Sequence, residues 1–284
     1  MERTINTLWC LRRDSSMINL AEKLLLATNK EVKGAVEFVS STAMTIKPIY
    51  TNAGVTLQYS LNGTSWTTIS SGATTPSANV IYFRGQTTGT KSLYTSYDSS
   101  NAWAFTGATN LECNGKLDRL LQNALGSDVD VLTIGAYCFA YMFSNNTILI
   151  TPPELPATTL DSQCYYSMFR DCTNLTIPPS LPATTLASGC YQNMFVSCTN
   201  LTTPPELPAT TLANYCYASM FYGCTKIKLS TAKSGIYDTA YRIPTAGAGT
   251  SVPDALDDMF TATGGTFTRT PAINVTYYTE NTPV

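Results

Sequence analysis

The sequence predicts an α+β protein in which a small β-sandwich precedes a short leucine-rich-repeat-like α/β solenoid with capping segments. Two observations support this prediction. A 26-residue unit occurs four times within residues 134–228, and the letters LPATTL open three of the copies. Short runs of alternating apolar and polar residues, separated by turn residues, fill residues 34–115. Strict repetition is typical of solenoids, in which each unit buries its apolar side against its neighbours.

Residues 1–33 are expected to form an N-terminal attachment segment with a helix. Ser16 is a candidate N-cap for a helix from Met17 to Asn29. Met1–Leu11 is too short and too charged for a signal peptide, and no run of 18 apolar residues could span a membrane. Two interpretations of the helix stay open: it packs on the next domain, or it docks the chain onto a larger assembly.

Residues 34–115 are predicted to form the β-sandwich. Val55–Leu61 alternates between apolar and polar residues, Asn62-Gly63 follows, and Thr64–Ile69 reads as the next strand. Asn-Gly between two such runs is a strong hairpin signal. Short strands at this spacing are typical of a sandwich. Further strands are predicted at Val36–Phe38, Met44–Ile46, Val80–Phe83 and Trp103–Phe105.

Each 26-residue repeat is predicted to contain one helix and one short strand. In the second copy, apolar residues recur every four residues from Leu160 to Cys172, which is the spacing of one helix face. Thr158 and Thr159 can cap this helix, and Leu175–Ile177 reads as the strand. The predicted repeat core is this stripe in three copies: Leu160, Cys164, Met168, Cys172, Leu186, Cys190, Met194, Cys198, Leu212, Cys216, Met220 and Cys224.

The opposite face of the predicted helix varies from copy to copy and is the candidate binding surface. Two interpretations stay open: relaxed constraint on a solvent face, or a recognition surface. Tyrosine on this face favours recognition, because its ring brings much contact area at little entropic cost. The strand side is an alternative binding face, although few of its residues vary. The candidate ligand-binding residues are Tyr166, Arg170, Gln192, Asn193, Tyr215 and Tyr222.

Two capping segments are predicted to flank the repeats. Residues 116–133 contain a short helix, Leu117–Ala124, and form the N-terminal cap of the solenoid. Residues 229–284 form the C-terminal cap, in which Ala255–Phe260 echoes the Met-Phe pair of the repeats.

The repeat motif LPATTLxxxCYxxMFxxCTNLTxPPE resembles a known family, the 26-residue repeat of bacterial surface proteins related to BspA-like leucine-rich repeats. The similar region covers about a third of the chain. The resemblance implies surface display on gut bacteria or their phages and binding to macromolecules or cells, with no enzymatic activity. The β-rich segment before the repeats also resembles the one that precedes them in this family, where it serves as a spacer or cap.

The composition excludes several classes of function. The net charge is −2, and no basic stripe is present that would bind nucleic acid. The nine cysteines include no CxxC pair and the sequence has no histidine, so a zinc site is poorly supported. No other metal and no cofactor is predicted. Seven of the cysteines recur with the repeat, which favours buried, reduced thiols. Cys10 and Cys113 lie outside the repeats.

No catalytic residues are expected. The sequence has no histidine, which excludes Ser-His and Cys-His nucleophile pairs. Asp128 and Asp130 form a close carboxylate pair, as do Asp257 and Asp258, but a solvated turn or cap explains both pairs better than acid–base catalysis. Asp128 and Asp130 could also bind calcium, although the regular ligand run of a calcium loop is missing.

These observations predict a non-enzymatic virion surface protein of a gut-bacterium phage: a capsid decoration, head fibre or tail-associated fibre. The N-terminal segment would contact other virion subunits, and the repeats would bind a host surface protein or glycan. A homo-oligomer such as a trimer is also expected, without nucleic-acid or membrane partners. Two alternatives stay open: a bacterial cell-surface adhesin and a purely structural cement protein.

Overall fold

The computed structural model describes residues 32–243, 252, 254–273, 275–280 and 283. The chain divides into two compact units, Met1–Lys33 and Gly34–Val284. The helix predicted for Met17–Asn29 lies outside the described residues. All elements below belong to the second unit.

A mixed sheet of seven strands occupies the N-terminal half of this unit. The strand order is β3-β2-β4-β1-β6-β7, and β5 pairs with the C-terminal end of β1, Thr45–Lys47. The neighbours are antiparallel except for the parallel pair β6–β7. The strands are β1 (Val36–Lys47), β2 (Val55–Ser60), β3 (Thr67–Ile69), β4 (Ala78–Thr87), β5 (Ala104–Thr106), β6 (Leu111–Asn114) and β7 (Leu149–Thr151).

The predicted β-sandwich is wrong, because the strands of residues 34–115 lie in one sheet. The apolar face of this sheet packs against the first repeat: the ring of Phe105 stacks on that of Phe143 at 5.9 Å, and Phe38 lies 6.4 Å from Phe143. A sheet covered by a repeat in this way needs no second sheet to bury its apolar residues. The predicted hairpin is confirmed, since β2 and β3 pair with Gln58 opposite Thr68.

The predicted α+β class and the α/β solenoid are also wrong. Within the described residues there is no α-helix, and the protein is mostly β. Two single 3₁₀ turns, Ser99–Asn101 and Leu117–Leu120, are its helical elements there. The helix predicted for Leu117–Ala124 therefore shortens to one turn. The strand predicted at Leu175–Ile177 is irregular backbone.

A run of four-residue turns takes the place of each predicted helix. Within a run, backbone N–H groups alternate between two kinds of acceptor. Met168 N–H bonds to the carbonyl of Tyr165 in its own turn (3.2 Å), whereas Phe169 N–H bonds to the carbonyl of Met194 in the next repeat (2.9 Å). An α-helix forms bonds within one segment, so these N–H groups hold neighbouring repeats together instead. We call these runs turn units 1 to 5: residues 137–145, 163–171, 189–197, 215–223 and 254–262.

A left-handed backbone conformation recurs every fourth residue in each turn unit. In turn unit 2, Gln163, Ser167 and Asp171 have φ between 51° and 59°. Residues other than glycine rarely adopt this conformation, because their Cβ is crowded there. The regular turn therefore has an energetic cost that packing between units must offset. The other positions of this kind are 137, 141, 145, 189, 193, 197, 215, 219, 223, 254, 258 and 262.

Two ladders of buried aromatic rings run through the turn units. Phe143, Phe169, Phe195, Phe221 and Phe260 stack with centroid separations of 5.6, 5.6, 5.7 and 5.3 Å. Stacked pairs contribute about 0.5–1.5 kcal/mol each beyond their buried area. A parallel ladder joins Phe139, Tyr165, Tyr191 and Tyr217 at 5.6–6.0 Å.

The cysteines form two further rows inside the stack of turn units. The thiols of Cys172, Cys198 and Cys224 donate to phenylalanine carbonyls one repeat earlier, at 3.1, 3.0 and 2.9 Å. All eight cysteines of the described residues are buried and free, which confirms the prediction of reduced thiols for them. Eleven of the twelve predicted repeat-core residues are buried, and Leu186 is partly buried.

The loop between β4 and β5 covers the first turn unit. Leu93 N–H bonds to the carbonyl of Cys138 (3.3 Å), and Trp103 N–H bonds to that of Met142 (3.0 Å). These carbonyls have no preceding repeat to pair with, so the loop satisfies them. The predicted cap, residues 116–133, does not take this position. It lies beside residues 154–159, with which it forms two parallel β-bridges, Lys116 with Glu154 and Thr133 with Thr159.

A second, four-stranded sheet follows the repeats. Its strand order is β10-β8-β11-β9. The Tyr241 ring at the end of β9 meets the ring of Phe260 edge-on at 6.1 Å, at the last rung of the phenylalanine ladder. The strands are β8 (Lys228–Ser230), β9 (Thr239–Tyr241), β10 (Gly264–Gly265) and β11 (Tyr277–Thr279).

Candidate functional site

Four tyrosines gather where the β4–β5 loop meets turn units 1 and 2. The ring of Tyr97 lies 5.9 Å from that of Tyr137 and 5.1 Å from that of Tyr166. Tyr141 lies 5.4 Å from Tyr166 on the other side. We call Tyr97, Tyr137, Tyr141 and Tyr166 the tyrosine cluster. The stacking of the units contributes to it, because Tyr137 and Tyr141 of turn unit 1 come to lie beside Tyr166 of turn unit 2.

The cluster is accessible to solvent. Tyr97 is 47% exposed, and the other three side chains are half-buried. Partial burial and the neighbouring Tyr166 raise the pKa of Tyr141 above its ordinary value. The Tyr141 hydroxyl is protonated at neutral pH, as that of an ordinary tyrosine is, and lies beside that of Tyr166.

Asn193 of turn unit 3 lies at the edge of the cluster. Its side-chain Nδ2 donates a hydrogen bond of 3.0 Å to the hydroxyl of Tyr166. The structure thus brings together two of the six candidate residues. It adds Tyr97, Tyr137 and Tyr141, which the sequence-based prediction omits.

Arg170 and Gln192 lie on the same outer surface without joining the rings. Arg170 is exposed, and its Nε is 3.2 Å from the carboxylate of Asp171. Its positive charge also acts on Tyr141, whose pKa it lowers slightly against the larger effect of burial. Gln192 is half-buried in turn unit 3.

Tyr215 and Tyr222 lie apart from the cluster, on turn unit 4. They are 43% and 41% exposed, and neither makes a ring contact with the cluster among the described residues. A hydrogen bond to Asp254 raises the pKa of the Tyr215 hydroxyl. The six predicted residues therefore divide between two places on the outer surface.

Asp128 and Asp130, the candidates for calcium binding and one of the two candidate acid–base pairs, lie with Asp118 around a buried arginine. Arg119, whose side chain is 6% exposed, contacts Asp118 at 3.1 Å, Asp128 at 2.9 Å and Asp130 at 3.1 Å. Lys116 also pairs with Asp130 at 2.8 Å. These carboxylates are neutralised by protein cations, so they fix the loop before the first repeat. In the described residues no group of three or more Cys, Asp or Glu is arranged to hold a metal ion.

Sequence signals for part of the cluster were present but not used. Tyr137 and Tyr141 occupy the same positions in the first copy that Gln163 and Ser167 occupy in the second. Aligning the outer face of the first copy as well as the others would have included them. No comparable signal points to Tyr97, which lies in a loop far upstream.

No helix in the described part of the chain is long and apolar enough to cross a bilayer. The resemblance to the 26-residue repeat family stays a prediction, carried by the motif itself. Comparison of the chain with protein-family models, curated proteins and solved structures gave no match.

Proposed function

We propose that this chain is a non-enzymatic surface protein of a virion, of the decoration or fibre type, whose turn units present an adhesive face to a host surface. The tyrosine cluster carries the proposal. An exposed group of aromatic residues is typical of an interaction surface, because tyrosine combines a large apolar ring with a polar hydroxyl.

Backbone hydrogen bonds between repeats hold the backbone beneath the cluster, which favours a binding role. Tyr141 N–H bonds to the carbonyl of Tyr166 at 2.9 Å, and Tyr137 N–H bonds to that of Ser162 at 3.0 Å. A surface whose geometry is fixed before binding loses less conformational entropy when it binds.

The thiols inside the repeats suit a protein that works outside cells. Burial raises the pKa of all eight described cysteines. Because the thiolate is the reactive form, these cysteines resist oxidation and disulfide exchange.

Quantitative mass spectrometry of purified phage particles tests the proposal. We expect the protein in the particles at a fixed ratio to the major capsid protein, and a low ratio would indicate a fibre. A copy number near that of the capsid protein, without binding to host cells, would favour the cement protein. Absence from particles together with presence in the cell-envelope fraction would contradict the virion proposal and favour the adhesin.

A further inference from the structure

We propose that the tyrosine cluster is a binding platform for an uncharged saccharide. The inference rests on the adhesive function proposed above and assigns both the class of ligand and its position. The inference requires that the cluster match the chemistry of a sugar ring, that polar groups lie at the edge of the cluster, and that the charged groups beside the cluster do not favour a charged ligand.

The rings of the cluster form a continuous aromatic surface. Their centroids are separated by 5.1–5.9 Å, and adjacent rings are tilted by 32° to 55°. A pyranose ring has a face of C–H groups and a rim of hydroxyls. The tyrosine rings offer a π surface on which the C–H face can pack, and the tyrosine hydroxyls can form hydrogen bonds with the sugar hydroxyls.

Asn193 and Tyr166 supply oriented polar groups at the edge of this surface. Because Asn193 Nδ2 donates to the Tyr166 oxygen, the Tyr166 O–H is directed away from that bond, where it can donate either to a ligand or to the neighbouring Tyr141 hydroxyl. Asn193 Oδ1 accepts no hydrogen bond from the part of the chain that the structure describes, so it can accept one from a sugar hydroxyl. The pair thus offers a donor and an acceptor side by side.

The charged groups next to the cluster disfavour an anionic ligand. Asp98, which follows Tyr97, accepts a hydrogen bond of 2.8 Å from Ser100 N–H, and this bond lowers the pKa of its carboxyl. Arg170 pairs with Asp171. A neutral ligand has no charge for these groups to act on, whereas an anionic ligand would be repelled by the Asp98 carboxylate and would have to compete with Asp171 for Arg170. We therefore favour a neutral saccharide over a sialylated or phosphorylated one.

A purely structural role makes a different prediction. If Tyr97 only fastened the β4–β5 loop to the turn units, its removal would lower the melting temperature without affecting any ligand. Binding and stability must therefore be measured on the same variants.

The test is an array of immobilised neutral oligosaccharides probed with the full-length protein, followed by titration of the best oligosaccharide. We expect Tyr97→Ala to weaken binding at least tenfold, as loss of a central aromatic contact does. Tyr166→Phe keeps the ring and its packing but removes the hydroxyl, so we expect a smaller, several-fold loss of binding and only a small fall in the melting temperature from the lost bond to Asn193. Ile236→Ala, at a similarly exposed apolar residue outside the cluster and outside the predicted binding surface, should bind like the parent protein.

Two results would overturn the inference: no oligosaccharide on the array binds, or binding is the same in Tyr97→Ala, Tyr166→Phe and the parent. Adhesion to host cells that survives periodate oxidation but not protease treatment would also overturn it, by indicating a protein receptor. These failures are separable from failure of the proposed function. If the protein is present in particles but binds no oligosaccharide, only the saccharide proposal is contradicted. If it binds an oligosaccharide but is absent from particles, only the virion proposal is contradicted.

Discussion

The thiol of Cys198 donates a hydrogen bond of 3.0 Å to the backbone carbonyl of Phe169, one repeat earlier in the chain. The same carbonyl accepts the N–H of Cys172 at 3.1 Å. The thiol therefore adds a bond between repeats to a carbonyl that already has a partner within its own turn. Cys172 and Cys224 repeat this arrangement, so the three cysteines link neighbouring repeats as well as filling the core.

Replacing Cys198 should separate these two roles. We expect Cys198→Ala to lower the free energy of unfolding by about 1–2 kcal/mol, from lost contacts and the lost hydrogen bond. Cys198→Ser keeps a donor, so it should cost less than the alanine variant. Urea denaturation measures both, with the exposed Ile177→Ala as a control expected to change stability by less than about 0.5 kcal/mol. A serine variant no more stable than the alanine variant would show that only volume matters.

Stability should fall steeply in alkali. Burial raises the folded-state pKa of the described cysteines above the value of about 8.5 that thiols have in an unfolded chain. The folded protein therefore holds thiol protons that the unfolded chain releases. Their contribution to stability is complete below about pH 8.5 and is lost as pH rises toward the folded values, about 11 for Cys216 and about 12 for Cys198.

Each buried thiol should contribute about 1.4 kcal/mol of lost stability per pH unit once it titrates in the unfolded chain. Urea midpoints should be level from pH 7 to 8 and decline sharply from pH 9 to 10. The triple variant Cys172→Ser, Cys198→Ser, Cys224→Ser should decline less steeply. A midpoint that stays level up to pH 10.5 would contradict this account.

Glycine should be favoured at the left-handed positions of the turn units. Ser197 has φ 59°, and the equivalent position one repeat later is Gly223, with φ 74°. We expect Ser197→Gly to stabilise the protein by about 0.5–1 kcal/mol, since relief of the left-handed conformation exceeds the entropy that glycine adds to the unfolded chain. Thermal unfolding measures the change.

Gly223→Ala is the matched reverse substitution. A Cβ at Gly223 would lie 3.5 Å from Ser197 Oγ, an ordinary contact, so steric clash does not obscure the effect of the backbone. It should destabilise by about 1 kcal/mol. If both substitutions leave the melting temperature unchanged, the left-handed conformation has no cost here.

Arg119 should be essential to the segment before the first repeat. Arg119→Met leaves Asp118 buried without its cation, so we expect a loss of about 3–5 kcal/mol at pH 7. Burial already raises the pKa of Asp118, and removing Arg119 raises it further. A carboxyl with a raised folded pKa stabilises below its unfolded pKa and loses that contribution as pH rises. The deficit should therefore shrink toward pH 4.

The matched control for Arg119→Met is Lys116→Met. It removes a second cation that pairs with Asp130, but the Lys116 side chain is about a third exposed. Exposed ion pairs contribute about 0–1 kcal/mol, so this variant should be nearly as stable as the parent. Guanidinium denaturation at pH 4 and 7 compares the two variants. Equal losses in both would show that burial of Arg119 has no special role.

The sequence predicted strands at the positions of β1 to β5, but not β6, and it predicted the apolar face of each repeat, whereas the predicted conformation of the repeat was wrong. Apolar residues at Leu160, Cys164, Met168 and Cys172 suggested a helix. In an α-helix, however, positions four apart drift by about 40° per step, so this stripe would wind about 120° around the helix. A period of four without drift fits four-residue turns, in which every apolar residue points the same way.

The tyrosine cluster shows why the site was only partly predictable. Tyr166 and Asn193 lie on a surface that varies among the copies, and comparing the copies was enough to select them. Tyr97 comes from a loop whose position depends on hydrogen bonds from Leu93 and Trp103 to the first turn unit. These bonds join residues about 40 positions apart and leave no periodic pattern in the sequence.

The backbone hydrogen bonds between turn units all run one way, from the N–H groups of one unit to the carbonyl groups of the next. Every junction between neighbouring 26-residue copies is therefore equivalent, and a further copy inserted between turn units 2 and 4 would find matching donors and acceptors on both sides. Duplication of a 26-residue segment could lengthen the molecule by about one ring spacing, 5.6 Å here, without changing either end. The number of repeats would then set the length of the stack, while the tyrosine cluster would stay beside the first sheet.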